Sequence, residues 1–155
     1  MNQREKSDSS PGRAKPNGDT SGQSPRATFL RLSCVLTGKD TLDAELSAAY
    51  YERTREKLTT KLDALLDRFN QAIAKGMDPV RVVAQILSDP TDGSSAKLIL
   101  LLWYTGAILT ADDDWEIRSA DQYYRALIWE AIGAHPPTLS NGYYGHWKYP
   151  PEYEV

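Results

Sequence analysis

The chain has 155 residues, a formal net charge of −3 and one cysteine. Its length suits one domain with a core that needs no disulfide or metal support, and a single cysteine excludes an internal disulfide. The weak negative charge gives no reason to expect nucleic acid or an anionic membrane as a partner. The longest uncharged stretch, 98–111, is shorter than the roughly 20 residues that span a bilayer, so we expect a buried helix there and no direct membrane span.

The N-terminal segment 1–27 differs in composition from the rest of the chain. It is rich in Ser, Gly, Pro, Lys and Arg and contains no Ile, Leu, Val, Phe, Tyr or Trp. Such a segment cannot bury enough apolar surface to offset the entropy lost on ordering. We therefore predict a disordered leader over 1–27 and a folded domain over 28–155. The leader lacks the apolar stretch of a signal peptide and a twin-arginine pair, so we expect no export signal in it.

The first half of the domain carries apolar residues at helical spacing. Ser24 suits the N-cap of a first helix, which Gly38 should end. We predict that a second helix starts at 40–41, and the apolar pattern continues as far as Gly76. The charged run 52–57 within this pattern is either an exposed turn of one long helix or a break between two helices.

Three further helices are predicted in the second half. The first should start at Asp78 and end at 89–90, before a loop over 91–95. Residues 98–109 are apolar nearly all round, which indicates the central, buried helix. The last helix should run from Ser119 to Gly133.

Together these patterns predict an all-α fold: about five helices in a single irregular bundle, with an irregular aromatic segment over 134–155. No alternating apolar runs are joined by Asn-Gly or Asp-Gly, so we expect no hairpin. Trp103 and Trp129 lie on predicted helices, and we expect both in the core.

The aromatic C-terminal segment is the best candidate for a functional surface. Its rings stand among Gly and Pro residues that disfavour helix and strand. Tyr and Trp are favoured where a ring fills a pocket on a partner protein. We therefore predict a protein interface there; the alternative is that the rings fold back onto this domain. The predicted interface residues are Tyr143, Tyr144, Trp147, Tyr149 and Tyr153.

Residues with catalytic or metal-binding potential are few. His135 and His146 lie 11 positions apart, and two histidines do not make up the three or four converging ligands of a zinc site. The acidic run 112–114 lacks the alternate spacing of a calcium loop, and we expect a solvated loop between two helices. Cys34 is expected to be a small buried side chain, although a bridge to a partner remains open. We therefore assign no catalytic, cofactor-binding or metal-binding residue.

The order of several segments resembles a known family: the small subunit of membrane-bound, FAD-containing sorbitol, fructose and glucose dehydrogenases. The resemblance covers about residues 28–153. The segments that carry it are 29–38, 42–46, 103–106 (Trp-Tyr-Thr-Gly), 123–129, 133–137 (with Ala-His-Pro-Pro) and 142–151 (with Trp-Lys-Tyr-Pro-Pro).

This resemblance implies an accessory role in an oxidoreductase complex. A large flavoprotein subunit, similar to glucose–methanol–choline oxidoreductases, binds FAD and oxidises the sugar or polyol. A multihaem cytochrome c passes the electrons to the membrane quinone pool. The small subunit binds the large one and supports its maturation or export, has no catalytic residues and binds no cofactor. The resemblance also implies the periplasmic side of the inner membrane, although no export signal is visible here.

Two other functions stay open at this stage. The chain could be a free-standing helical adaptor with an unrelated partner, which would still use the aromatic segment. It could also be an enzyme that uses His135 or His146 with the carboxylates of 112–114. Neither the residues nor the resemblance tells which sugar or polyol is oxidised, because specificity lies in the large subunit.

Overall fold

The computed structural model describes residues 23–110 and 114–136. These residues are mostly helical, which confirms the predicted fold class. They form seven helices and one two-stranded sheet: α1 Pro25–Thr37, α2 Ala44–Leu58, α3 Thr60–Ala74, α4 Pro79–Ser88, α5 Pro90–Thr105, β1 Ala107–Leu109, β2 Trp115–Ile117, α6 Ala120–Tyr124 and α7 Ile128–Ala131. Nearly all of the predicted leader lies outside the described residues.

Three helices start at the predicted caps. The Ser24 hydroxyl accepts a hydrogen bond from the Ala27 amide at 3.3 Å, and the Asp78 carboxylate accepts one from the Arg81 amide at 3.0 Å. Ser119 does the same at the start of α6. Each cap satisfies an amide that has no partner within its own helix, so short polar residues at these positions fix the helix starts.

The predicted start of the second helix is wrong by about three residues. Asp43 is the N-cap of α2 and accepts a hydrogen bond from the Leu46 amide at 2.7 Å. The chain is helical throughout the charged run 52–57 and breaks just after it, at Thr59, whose φ is +48°. The break separates α2 from α3, so of the two alternatives left open the chain forms two helices, with the break after the charged run rather than within it.

The loop predicted over 91–95 is also wrong, because these residues are the first turns of α5. Asp89 ends α4 and caps α5 directly, accepting hydrogen bonds from the Thr91 and Asp92 amides at 2.9 Å. A Cβ atom at Gly93 would lie 2.7 Å from the Leu87 carbonyl oxygen. The absence of a side chain at Gly93 therefore allows the backbones of α4 and α5 to approach closely.

The central helix begins and ends earlier than predicted, and a hairpin follows it. Gly106 ends α5 with φ +68°, and β1 then pairs antiparallel with β2 in the register Ala107↔Ile117, Ile108↔Glu116 and Leu109↔Trp115. The prediction of no hairpin is therefore wrong. The acidic run 112–114 connects these strands instead of two helices, and of this run the structure describes only Asp114.

The predicted last helix is divided into α6 and α7. The apolar spacing that suggested one helix is interrupted between Tyr124 and Ile128. Ile132, near the predicted end of that helix, lies after α7 and is 60% exposed.

The core lies where α5 packs against the other long helices. Trp103 is 1% exposed, as predicted for a core residue, whereas Trp129 is only partly buried. Burying a large apolar side chain contributes about 1.5–3 kcal/mol, so these residues dominate the stability of the fold. The largest fully buried apolar side chains include Phe29, Leu32, Tyr50, Leu62, Leu65, Phe69, Ile86, Ile99, Leu102 and Trp103.

Candidate functional site

The interface residues predicted from the sequence lie outside the described part of the chain. Tyr143, Tyr144, Trp147, Tyr149 and Tyr153 all follow Pro136, the last described residue. Their role as a protein interface therefore stays a prediction. The described residues show Pro136, from which the aromatic segment continues, and the surfaces next to Pro136.

The Trp-Tyr-Thr-Gly segment forms the C-terminal end of α5. The Trp103 ring stands edge-on to the Tyr50 ring, with centroids 4.9 Å apart and planes at 82°. Gly106 is in the left-handed conformation, and a Cβ atom there would lie 2.6 Å from the Gln122 carbonyl oxygen. Only glycine therefore fits both this backbone angle and the close approach of α6.

A buried arginine joins this helix end to the hairpin and to α6. Arg53 is 3% exposed. Its guanidinium donates to the Gly106 carbonyl at 2.9 Å, to the Gln122 side-chain oxygen at 2.6 Å and to the Glu116 carbonyl at 2.8 Å. All three acceptors lie more than 50 residues after Arg53 in the chain, so this one side chain attaches α2 to the end of α5, the hairpin and α6.

The electrostatics around Arg53 reflect its burial. Loss of hydration lowers the pKa of Arg53, and the positive charge of Arg118 lowers it further. Burial also raises the pKa of the nearby Tyr50 hydroxyl to about 12, because the anionic form would be poorly solvated. Both groups keep their ordinary charge at neutral pH, which suits a structural role.

The sequence does not single out Arg53, because it lies in the charged run 52–57, which is expected to be an exposed turn or a break between helices. A signal was nevertheless present. Arg53 lies seven residues after Leu46 and three after Tyr50, and these spacings place the three residues on one helix face. Leu46 and Tyr50 are both buried, so an arginine on their face was a candidate for a buried arginine.

The segment 123–129 forms a second compact arrangement of rings. The Trp129 indole N–H donates to the Tyr123 carbonyl at 2.8 Å, and their rings are edge-on with centroids 5.1 Å apart. Arg125 pairs with the carboxylates of Asp43 at 2.6 Å and Asp121 at 3.0 Å. These contacts attach the α6–α7 region to the start of α2.

The described chain ends beside a shallow pocket in this region. The pocket has a volume of about 310 Å³ and is lined by residues of 124–135, including Arg125, Trp129, Glu130 and His135. His135 is partly buried there. The aromatic segment thus continues from a partly polar surface formed by α6 and α7.

A second, more apolar groove lies between α5 and the hairpin. Its volume is about 310 Å³, and it is open on one side to solvent. Trp115 is 56% exposed and Leu101 is 46% exposed at this groove. Both values are high for large apolar side chains, so the groove is a candidate binding surface. Its lining residues are Ser94, Lys97, Leu98, Leu101, Ala107, Ile108, Leu109 and Trp115.

The described residues bring no catalytic constellation together. Over 23–110 and 114–136, no group of three or more His, Cys, Asp and Glu side chains is placed to hold a metal ion. His146 and most of the run 112–114 lie outside these ranges, so the hypothesis of an enzyme that uses them is untested. Cys34 is partly buried rather than fully buried, and burial raises the pKa of its thiol, which disfavours the reactive thiolate.

Within the ranges that the structure describes, no helix combines the length and the apolar character needed to cross a bilayer. Of the longest uncharged stretch, 98–111, the structure describes 98–110; these residues include the end of α5, Gly106 and the strand β1.

Comparison with known proteins identifies one family. A family model described as membrane-bound FAD-containing D-sorbitol dehydrogenase matches residues 8–151. The match covers most of the chain, and it begins within the predicted leader, 20 residues before the segment 28–153 that carries the resemblance. A comparison with curated proteins found none that matches this chain.

Proposed function

The chain belongs to the family of membrane-bound FAD-containing D-sorbitol dehydrogenases, and from that premise we propose that it is the non-catalytic small subunit of such a complex. It binds the FAD-containing large subunit, a glucose–methanol–choline-type flavoprotein, and supports its maturation or export. A multihaem cytochrome c completes the complex on the periplasmic side of the inner membrane. The observation that carries this proposal is the family match over 8–151.

The fold of the described residues supports placing FAD in another subunit. A dinucleotide-binding unit of the usual type sets a parallel strand before a helix, whose N-terminus receives the pyrophosphate. In residues 23–110 and 114–136 the strands instead pair antiparallel in a short hairpin. We therefore assign none of these described residues to FAD.

The composition of the C-terminal segment supports a role in binding a protein. Tyr143, Tyr144, Trp147, Tyr149 and Tyr153 supply large rings with polar tips, the kind of side chain that dominates interface energetics. We propose that these rings contact the large subunit. The described chain reaches Pro136 on the α6–α7 surface, so this contact would begin beside that surface.

Co-purification tests the proposal. The tagged full-length chain, expressed with its neighbouring genes, should bring down a protein with the visible absorbance of flavin and with sugar or polyol dehydrogenase activity. Removal of 142–155 should weaken this association strongly while leaving the helical circular dichroism signal near that of the full chain. Lys61→Ala, at an exposed site on α3, is a matched control that should bind normally.

Three results would count against the proposal. If the full-length chain brings down no flavoprotein, the accessory role is wrong, and an unrelated partner would point to a free-standing adaptor. If removal of 142–155 unfolds the domain, the rings belong to this domain's own core rather than to the interface. Dehydrogenase activity of the isolated chain would contradict the non-catalytic assignment.

A further inference from the structure

The elements that follow Gly106 contribute little to the apolar core. We call β1, β2, α6 and α7, with the described residues between them and as far as Pro136, the C-terminal unit. Helices α1–α5 supply nearly all of the buried core cluster, and of the described residues after Gly106 only Ile108 belongs to it. Leu127 packs against the cluster and is partly buried. Burial of apolar surface therefore attaches the C-terminal unit to the five helices only weakly.

Polar contacts supply much of the remaining attachment, and the buried ones centre on Arg53 of α2. Its guanidinium donates to the Glu116 carbonyl of β2 at 2.8 Å and to the Gln122 side-chain oxygen of α6 at 2.6 Å. A third hydrogen bond, 2.9 Å long, reaches the carbonyl of Gly106, directly before the C-terminal unit. Movement of the unit away from α2 therefore breaks the bonds of Arg53 to β2 and to α6 together.

The burial of a charge offsets part of the gain from these hydrogen bonds. Arg53 is 3% exposed, and a cation that is taken out of water loses its hydration. Its three acceptors are neutral oxygens, and its Nε–H has no acceptor within 23–110 and 114–136. Water can solvate the guanidinium again when the C-terminal unit moves away. This regained hydration lowers the free energy needed to separate the unit from α2.

Surface ion pairs add to the attachment between the C-terminal unit and the first two helices. Their side chains are partly exposed to water, and such pairs contribute little to stability and are weakened by salt. They therefore supplement the bonds of Arg53 without replacing the missing apolar contacts. The pairs are Lys39 with Glu130, Glu56 with Arg118, and Asp43 with Arg125.

We propose that the C-terminal unit opens from the five helices as one body while α1–α5 stay folded, with Gly106 as the hinge and Arg53 as the main attachment point. Gly106 joins the unit to α5, and glycine can change its backbone angles at little cost. Proteins open in such cooperative units with free energies below that of global unfolding. Opening uncovers Tyr50, whose hydroxyl donates to the Gln122 carbonyl at 3.4 Å. The proposal concerns this chain alone and is independent of the accessory role.

Amide hydrogen exchange of the full-length chain, followed by NMR at low urea concentrations, tests this proposal. The amides of Arg125, Leu127 and Ala131 donate hydrogen bonds in the C-terminal unit, and they should share one opening equilibrium with a small urea dependence. The amides of Phe69 and Leu102, in α3 and α5, should open about 100-fold more rarely and with a steeper urea dependence, because only global unfolding exposes them. The proposal is wrong if both sets share one equilibrium and slope, or if the first three amides open independently of each other.

Two substitutions distinguish the attachment of the C-terminal unit from the stability of the five helices. Arg53→Met should raise the exchange rates of the three C-terminal-unit amides about 100-fold, because its hydrogen bonds exist only in the closed state. Ile86→Val, in the core at 1% exposure, is the control. It should raise exchange at the two amides of α3 and α5 about fivefold and leave the other three unchanged, because Ile86 is packed equally in the closed and open states.

The variants also give results that would overturn the proposal. Unchanged exchange at the three C-terminal-unit amides in Arg53→Met would show that Arg53 does not hold the unit closed. Faster exchange at all five amides in Ile86→Val would show that the domain opens only as a whole. Should Arg53→Met fail to fold, Glu56→Gln removes only the surface pair with Arg118 and should raise exchange in the C-terminal unit about threefold. No increase in that variant would contradict the proposal.

Discussion

Replacing Gly106 by alanine should destabilise this protein more than the same change at Gly38. Both glycines end helices in the left-handed conformation, with φ of +68° and +69°. They differ in their surroundings, because a Cβ atom at Gly38 would meet nothing within 4 Å. At Gly106 it would lie 2.6 Å from the Gln122 carbonyl oxygen and 3.0 Å from the Tyr123 amide nitrogen.

Comparing Gly38→Ala with Gly106→Ala separates the free-energy cost of a left-handed backbone from the cost of a steric clash with α6. An L-residue in the left-handed region costs roughly 1–2 kcal/mol, so Gly38→Ala should lower the free energy of unfolding by about 1 kcal/mol. At Gly106 the colliding atoms are backbone, which cannot rotate away. Moving the start of α6 adds about 2 kcal/mol, typical of overpacking, for a total of about 3 kcal/mol.

Urea denaturation followed by circular dichroism measures both free energies. In thermal unfolding the two variants should differ by about 8 °C, because about 2 kcal/mol separates them and 1 kcal/mol corresponds to about 4 °C at this chain length. Equal losses for Gly106→Ala and Gly38→Ala would show that α6 does not approach the end of α5 as closely as described.

Two further substitutions address the polar contacts. Arg53→Met keeps much of the side-chain volume but leaves the Gly106 and Glu116 carbonyls without their buried donor. We therefore expect the free energy of unfolding, measured in urea, to fall by about 3 kcal/mol. A fall of less than about 1 kcal/mol would refute the role of Arg53 in joining these elements. The pKa of Asp43 is held below its ordinary value by the Leu46 amide and by Arg125. The stability that this carboxylate contributes is therefore present above about pH 4 and is lost as the pH falls through the lower pKa of the folded state. Asp43→Asn, which can still cap α2, should reduce this acid sensitivity in pH-dependent unfolding, and an unchanged acid profile would contradict it.

Local rules predicted the helix starts well because a cap acts within one turn. Ser24, Asp78 and Ser119 all cap helices as expected, since a short polar side chain before a helix satisfies amides only a few residues away. The same rule failed between α4 and α5, where one residue both ends a helix and caps the next. Asp89 was read as the end of one helix, but its carboxylate also starts the next, and no local signal distinguishes these uses.

Long-range contacts explain what the sequence analysis missed at the candidate site. The hairpin has no Asn-Gly or Asp-Gly turn, and its position depends on Arg53, which lies more than 50 residues before it in the chain. The length of α5 depends on Gly106 and on how closely α6 approaches it. Such contacts are set by the packed domain, so apolar spacing along the chain does not reveal them.

Helix α5 is buried on one side and partly exposed on another. Apolar residues all round 98–109 predicted a helix buried on every side, yet Leu101 remains 46% exposed. The described segments that carried the family resemblance, including Trp-Tyr-Thr-Gly and 123–129, are used mainly to pack rings and fix helix ends. They determine the shape of the domain, and that shape places the uncovered face of α5 beside an apolar hairpin. The prediction of burial on every side is therefore wrong at Leu101, because that side of α5 lines an open groove beside the hairpin.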